Sequence, residues 1–293
     1  PNGAIEEYRN AIRSNNAQAN PDVVEGIRLR NIITTQHRLL GRYSANIPET
    51  AAQIKELEQL AQAPDAKAAR SALPEAYESH AEALRYAGRT SDAWAVYEAM
   101  TRSLKEKQMP IPHRQRVEIG VVLGDLGRYD EAIPHFKQAI DEALLEELGA
   151  IRLAQYEYKY ARVLIGKGDL ETAERLISKS HTELARDQNP ARLAKCLEAR
   201  ARLRLKQGRP EEALIDAKEV IRIRTPKEDA MSDRNFLDAC VLLTDCYEAT
   251  GRADDAKRAR FEEDKVRAEI TERERNAALD LGEAPPNFER HSR

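Results

Sequence analysis

A short phrase that begins with glycine recurs along the chain every 39 to 43 residues. In each copy a turn residue or two follows the glycine, acidic side chains come next, and an alanine stands five positions after it. The copies begin at Gly88, Gly127, Gly168, Gly208 and Gly251. Five copies at one period indicate an array of similar structural units rather than one globular core.

Each glycine is placed to end one helix and to let the next begin. Glycine adopts the left-handed backbone that closes a helix C-terminus, and acidic side chains suit the positive end of the helix that follows. Small side chains stand five residues after each glycine and seven residues before it. The earlier set is Ala81, Gly120, Ala161, Ala201 and Thr244. Small residues let two helices approach closely, so each unit is predicted to be a tight antiparallel helical hairpin.

This pattern resembles the tetratricopeptide repeat, which has a small residue, a glycine before the turn, and then alanine and an aromatic residue in the second helix. The best copy comprises Gly120, Leu123, Gly127, Tyr129, Ala132, Phe136 and Ala139. The family's usual period is about 34 residues, so the chain is similar to a variant with a period of about 40. The resemblance implies an all-α, right-handed superhelical solenoid of antiparallel helix pairs, whose concave groove is lined by the first helix of each pair.

The repeat register predicts four segments along the chain. A half unit and one degenerate unit come first, five clear units follow, the last of them running into a long charged C-terminal helix, and a loose tail ends the sequence. The predicted ranges are 1–63, 64–260, 254–281 and 282–293. Because the chain begins at Pro1 with only half a unit, we expect it to be a fragment of something longer.

Three features depart from a regular array. In the degenerate unit the turn is expected at Gly41 and the second helix over 49–63. Arg200 and Arg204 occupy positions that are usually apolar, which predicts a rotated first helix in that unit. The charged helix over 254–281 is interpreted as a cap for the solenoid, and a helix that projects to bind a partner is the alternative.

Composition excludes several classes of protein. With 47 basic and 50 acidic side chains the net charge is −3, so no basic field exists to hold nucleic acid. No apolar run approaches the ~20 residues of a membrane helix, and a soluble cytoplasmic protein without membrane insertion is expected. Three cysteines without framework spacing favour a reducing compartment and buried, structural thiols.

No pattern typical of an active site occurs. The six histidines are scattered over different units, and no spacing typical of metal ligands is present. The stretch 120–127 is rich in glycine, but the repeat places it inside a first helix rather than in a phosphate-binding loop. We therefore expect no catalytic residues, no cofactor and no metal.

The surface of the groove remains as the candidate site. The resemblance implies that groove-facing side chains occupy fixed positions on the first helices, and in the middle units these positions are mainly basic. The candidate partner-binding residues are Arg114, Tyr158, Arg162, Lys195 and Arg202. Arginine grips a carboxylate through two hydrogen bonds, and Tyr158 would supply a flat apolar platform. We expect an acidic segment of a partner here; the alternative is that these charges only solvate the groove and pair with Glu198 and its neighbours.

The function predicted from the resemblance is a non-catalytic scaffold or adaptor for protein–protein interaction, which binds a protein or peptide segment in its groove. The alternative is a peptide-responsive regulatory or sensor domain of a larger signalling or transcription-regulating protein.

Overall fold

The computed structural model describes residues 2–16, 23–39, 42–63, 66–226 and 233–279. All regular structure in these ranges is helical. The helices are α1 (Asn2–Asn16), α2 (Val23–Leu39), α3 (Tyr43–Leu60), α4 (Lys67–Tyr86), α5 (Thr90–Glu106), α6 (His113–Asp125), α7 (Tyr129–Leu145), α8 (Ala150–Lys167), α9 (Leu170–Leu184), α10 (Pro190–Lys206), α11 (Pro210–Arg224), α12 (Arg234–Ala249) and α13 (Ala253–Leu279). The predicted all-α helical-repeat fold is confirmed. None of these helices combines the length and apolar character that crossing a bilayer demands.

The five turn glycines behave as the sequence predicts. Each has a positive φ, between 70° and 94°, in the region where a side chain would be strained. At Gly168 the next amide, that of Asp169, donates to the carbonyl of Leu164 at 2.9 Å. The Asp169 side chain then accepts from the amide of Thr172 at 3.2 Å and caps α9. One helix therefore ends and the next begins within a few residues.

The small residues sit where paired helices come closest. Ala132 on α7 is fully buried. A Cβ added to Gly120 on α6 would lie 2.5 Å from the Phe136 ring of α7, so a larger residue does not fit there. α4 packs against α5, α6 against α7, α8 against α9, and α10 against α11, and these are four of the five predicted hairpins. α12 and α13 follow in the order expected of the fifth.

The chain forms two compact units. Unit 1 comprises Pro1–Ile111 together with Thr271–Arg293, and unit 2 comprises Pro112–Ile270. Unit 1 therefore contains α1 to α5 and the last turns of α13. This division follows contacts in space, whereas the ranges 1–63 and 64–260 follow the repeat register and stay predictions. The predicted turn at Gly41 and the predicted tail over 282–293 lie outside the described residues.

In unit 1, α3 begins at Tyr43, before the expected position 49, and contains Pro48. The amides of Tyr43 and Ser44 donate to the two carboxylate oxygens of Glu274, at 2.6 and 2.8 Å. A carboxylate at a helix N-terminus stabilises the first turn, so the helix starts ahead of the proline. Glu274 lies on α13, far away in sequence.

The helix predicted over 254–281 is α13, Ala253–Leu279. Val266, Ile270 and Ala277 are buried along one side of it. Phe261, although apolar, is 72% exposed. The buried side and the carboxylate at position 274 fit the interpretation of α13 as a cap.

Candidate functional site

The groove-facing candidates of the sequence lie on consecutive first helices of unit 2. Within this unit α6 packs against α8, α8 against α10, and α10 against α12. Arg162 comes from α8, whereas Lys195 and Arg202 come from α10. The fold therefore places Arg162 on a helix next to that of Lys195 and Arg202, which are 33 and 40 residues away in sequence.

A buried carboxylate lies among the basic residues of α10. Glu198 is 3% exposed, and its Oε2 accepts a hydrogen bond from Lys195 Nζ at 3.2 Å. Arg202 Nη1 lies 4.0 Å from the same oxygen. Arg224, at the end of α11, places its Nε 3.8 Å from Oε1. We call Lys195, Glu198, Arg202 and Arg224 the Glu198 cluster.

Arg162 adjoins this cluster from α8 and has an acidic partner of its own. Its Nη2 lies 3.6 Å from Asp125 Oδ1 of α6. Burial lowers the pKa of Lys195; Arg224 and Arg162 act in the same direction, whereas Glu198 and Asp238 oppose it. Arg162 and Lys195 thus share one electrostatic environment. Arg162, Lys195 and Arg202 thus lie on neighbouring helices, and acidic side chains accompany them.

Tyr158 lies at the base of this region and is only 6% exposed. Burial raises the pKa of its hydroxyl, while the neighbouring cations Lys159 and Arg162 oppose that shift. Glu198 acts on the hydroxyl in the same direction as burial. The flat face expected as a platform is largely covered by the surrounding helices.

Arg114 is separated from the other candidates. It lies in the first turn of α6 and is exposed, and its charge acts on the hydroxyl of Tyr156. Tyr156 Oη pairs with His113 Nδ1 at 2.8 Å. Residues two apart on a helix point about 160° away from each other, so Tyr156 and Tyr158 occupy different sides of α8. Arg114 therefore marks a second location in unit 2.

The two arginines at normally apolar positions of α10 are neutralised from within their hairpin. Arg200 donates to both carboxylate oxygens of Asp216, at 3.0 and 2.7 Å, and Arg204 donates to Asp216 at 2.6 Å. Asp216 is buried on α11. Ala201 and Ala213, the small residues of this hairpin, are also buried. The expected rotation of α10 is wrong, because a buried acid on the partner helix compensates the arginines without a change of register.

The glycine-rich stretch of α6 serves helix packing. A Cβ on Gly124, which the repeat pattern alone does not explain, would approach Val163 Cγ2 of α8 to 2.6 Å. The stretch therefore lets α6 and α8 lie close together.

Outside this region, the structure bears on the three cysteines and on possible metal ligands. Burial raises the pKa of Cys196, Cys240 and Cys246 to about 12, which disfavours the reactive thiolate. Over the ranges that the structure describes, no three His, Cys, Asp or Glu side chains converge on a possible metal position.

Sequence reasoning missed two members of the site. Arg224 belongs to a second helix, where the repeat frame places no groove residue. Asp125 immediately precedes the turn of its unit, and only its contact with Arg162 reveals it. The signal available in the sequence was the pair of arginines in the last turn of α11. That signal has a second explanation, because basic residues also stabilise the C-terminal end of a helix.

Comparison with known proteins identifies the repeat. Residues 116–143, which run from α6 into α7, match the family described as tetratricopeptide repeat. No curated protein sequence matches the chain. A tetratricopeptide repeat protein from Parabacteroides merdae has a similar structure, with a TM-score of 0.58 and 16% identity over 93% of this chain and 90% of that one. The resemblance predicted from the glycine phrase is confirmed.

Two further solved structures share the fold. NprR in complex with its cognate peptide NprX gives a TM-score of 0.62 at 15% identity, over 96% of this chain and 82% of that one. A Rap protein complexed with competence and sporulation factor gives 0.60 at 17% identity, over 94% and 80%. At these identities the likeness concerns the fold.

Proposed function

Because this chain carries tetratricopeptide repeats, we propose that it is a non-catalytic interaction scaffold that binds a protein or peptide segment along the first helices of unit 2. The observation that carries this proposal is that Lys195 and Arg202 of α10 lie around one buried carboxylate, Glu198, while Arg162 on the neighbouring helix α8 acts on the same lysine. A segment laid across these helices meets the cations together.

The chemistry of the region favours an acidic segment. Each of the three cations is 25–33% exposed at its side chain, so a bound segment can reach part of each side chain. Arginine can form two parallel hydrogen bonds with a carboxylate, and partial burial strengthens such bonds relative to those in water. Because internal acids already neutralise part of the charge, affinity depends on how well the partner's carboxylates compete with them. Tyr158 contributes to the base of the site.

A second candidate function is peptide-responsive regulation. The shared fold with NprR, whose structure holds its cognate peptide, supports this alternative. In that case the bound segment changes how neighbouring hairpins pack, and the change passes to a partner or an attached domain. A scaffold needs no such change.

The test uses the variant Arg162→Gln/Arg202→Gln. Glutamine is preferred to glutamate because a new carboxylate would face Asp125 or Glu198 and disturb folding. The probes are a fluorescein-labelled peptide of alternating serine and glutamate, and its serine–glutamine counterpart. We expect the parent to bind the acidic peptide selectively and the variant to bind it at least about tenfold more weakly, since hydrogen bonds to charged groups contribute about 1.5–3 kcal/mol.

The matched control is Lys137→Gln/Arg175→Gln, which removes two exposed positive charges from the second helices α7 and α9. Equal affinity of the parent and the groove variant would overturn the proposal, as would equal losses in the groove and control variants. Hydrogen exchange with bound peptide separates the two functions: protection restricted to α8 and α10 indicates a scaffold, and altered exchange in distant hairpins indicates regulation.

A further inference from the structure

Two buried polar atoms of the Glu198 cluster lie close to each other without forming a hydrogen bond. Glu198 Oε1 and Arg224 Nε are both buried, and neither has a hydrogen-bond partner among the described residues. They lie 3.8 Å apart, just beyond hydrogen-bond distance. The other oxygen, Oε2, is engaged by Lys195 at 3.2 Å. The carboxylate therefore lies among three cations and forms a hydrogen bond with one of them.

Unsatisfied buried groups are costly, particularly when charged, so this arrangement favours a second position of the carboxylate. A shift of about 1 Å toward Arg224 would close the missing bond within ordinary hydrogen-bond geometry. The same shift would lengthen the contact with Lys195 and the 4.0 Å contact with Arg202. Both cations would then lie farther from this carboxylate and would attract an external one more strongly.

We propose that Glu198 is a displaceable internal counterion, which masks Lys195 and Arg202 until a carboxylate of the partner replaces it and it moves to Arg224. This inference rests on the proposed function and specifies how the same site selects its partner. A segment with a single weak contact cannot displace Glu198, whereas one that presents a carboxylate to both cations can. Glu198 thereby determines specificity, and Arg224 acts as a positioning residue for it.

An opposing role is that Glu198 holds the cations in a geometry fit for binding. The distances argue against it, because Arg202 lies beyond hydrogen-bond distance of Glu198 and so is not fixed by it. The two roles predict opposite changes in affinity when Glu198 is replaced. Removal of the charge in Glu198→Gln strengthens binding if Glu198 is a competitor and weakens binding if it is an organiser.

The experiment measures the affinity of the acidic serine–glutamate peptide for the parent, Glu198→Gln and Arg224→Gln. We expect Glu198→Gln to bind about tenfold more tightly, because one like charge is removed close to the ligand carboxylate. Arg224→Gln should bind about threefold more weakly, since Glu198 loses its second partner. The control is Glu219→Gln, which removes an acid from the outside of α11 and should leave the affinity unchanged. Unchanged or weaker binding by Glu198→Gln overturns the inference.

The variant Glu198→Asp provides a second test in case Glu198→Gln does not fold. Glu198→Asp keeps the charge but withdraws it from Lys195, and about threefold tighter binding is expected; no gain in a folded Glu198→Asp counts against the inference. If the parent binds and the Glu198 variants bind no better, only the counterion role fails. If neither the parent nor any variant binds the acidic peptide, the proposed function fails as well. If Glu198→Gln binds the acidic peptide and the parent does not, the result supports masking by Glu198.

Discussion

Glu274 and Tyr43, which are separated by 231 positions in sequence, are joined by a 2.6 Å hydrogen bond from the Tyr43 amide to the Glu274 carboxylate. The second carboxylate oxygen accepts from the amide of Ser44 at 2.8 Å. The residue before α3, Arg42, provides no side-chain cap. The start of α3 thus depends on a side chain supplied by α13.

Replacement of Glu274 should destabilise unit 1. Glu274→Ala leaves two buried amides without acceptors, and we expect a loss of about 1–3 kcal/mol in the free energy of unfolding. Urea denaturation measures the loss, and hydrogen exchange at Tyr43 and Ser44 locates it. Glu272→Ala, at an exposed position of the same helix, should have little effect. Equal stabilities of the two variants would contradict a capping role.

Acidification should also weaken unit 1, through His37. Burial lowers the pKa of His37 from about 6.5 to about 4, and neither ring nitrogen has a hydrogen-bond partner among the described residues. Because the folded pKa lies below the unfolded value, the stabilising contribution is complete above pH 6.5 and is lost as pH falls toward 4. One pKa unit corresponds to about 1.4 kcal/mol, so the full effect is roughly 3 kcal/mol.

The measurement compares urea denaturation at pH 7 and pH 5 for the parent and His37→Phe. The variant should lose less stability on acidification than the parent. The remaining dependence should include His80, whose pKa burial also lowers to about 4, and Glu274. Burial raises the pKa of Glu274, so its contribution has the opposite sign: it is present at low pH and is lost as pH rises through its raised pKa. An identical pH dependence in parent and variant would refute the assignment to His37.

Asp216 should be among the most sensitive positions in unit 2. Asp216→Ala leaves Arg200 and Arg204 without their buried counterion, and breaking such a group costs about 3–5 kcal/mol. Thermal and urea denaturation should show the loss. Glu212→Ala, which removes a more exposed acid of the same helix, should cost far less. Replacing all three members of the buried group by methionine should restore most of the stability, and failure of that rescue would point to a different cause.

The contact at Ala132 tests the repeat register. Ala132→Leu forces extra methylene groups into a fully buried helix contact, and overpacking of this kind typically costs about 1–3 kcal/mol. Ala95→Leu, at an exposed position of α5, provides the control and should be nearly neutral. A parent-like melting temperature for Ala132→Leu would show that the alanine does not set the helix spacing.

The repeat itself could be predicted because its determinants are local. Gly168 and its counterparts mark the helix ends through backbone conformation, which depends on a few adjacent residues. The cap on α3 could not be predicted, because it joins Tyr43 to a residue in the last helix. The register of α10 was mispredicted for a similar reason: Arg200 has its compensating acid on the next helix, and no local pattern shows that Asp216 is buried.

The candidate site was predicted only in part. The repeat frame places Arg162, Lys195 and Arg202 on neighbouring helices. Such a frame gives the direction of a side chain but does not show whether that side chain is buried. The frame therefore does not show that the surrounding helices cover Tyr158. Arg224 lies on a second helix and reaches the cluster through the length of its side chain, which periodicity does not describe.

Unit 1 combines an early and a late segment of the chain, and this arrangement has a consequence for synthesis on the ribosome. Residues 112–270, which make up unit 2, leave the exit tunnel before Thr271 and Glu274 do. The N-terminal helices thus emerge first, but unit 1 is complete only after the segment that begins at Thr271 has been synthesised. During that interval α3 lacks the carboxylate that caps it, so nascent chains should display an N-terminal region more open to proteases and chaperones than the middle of the protein.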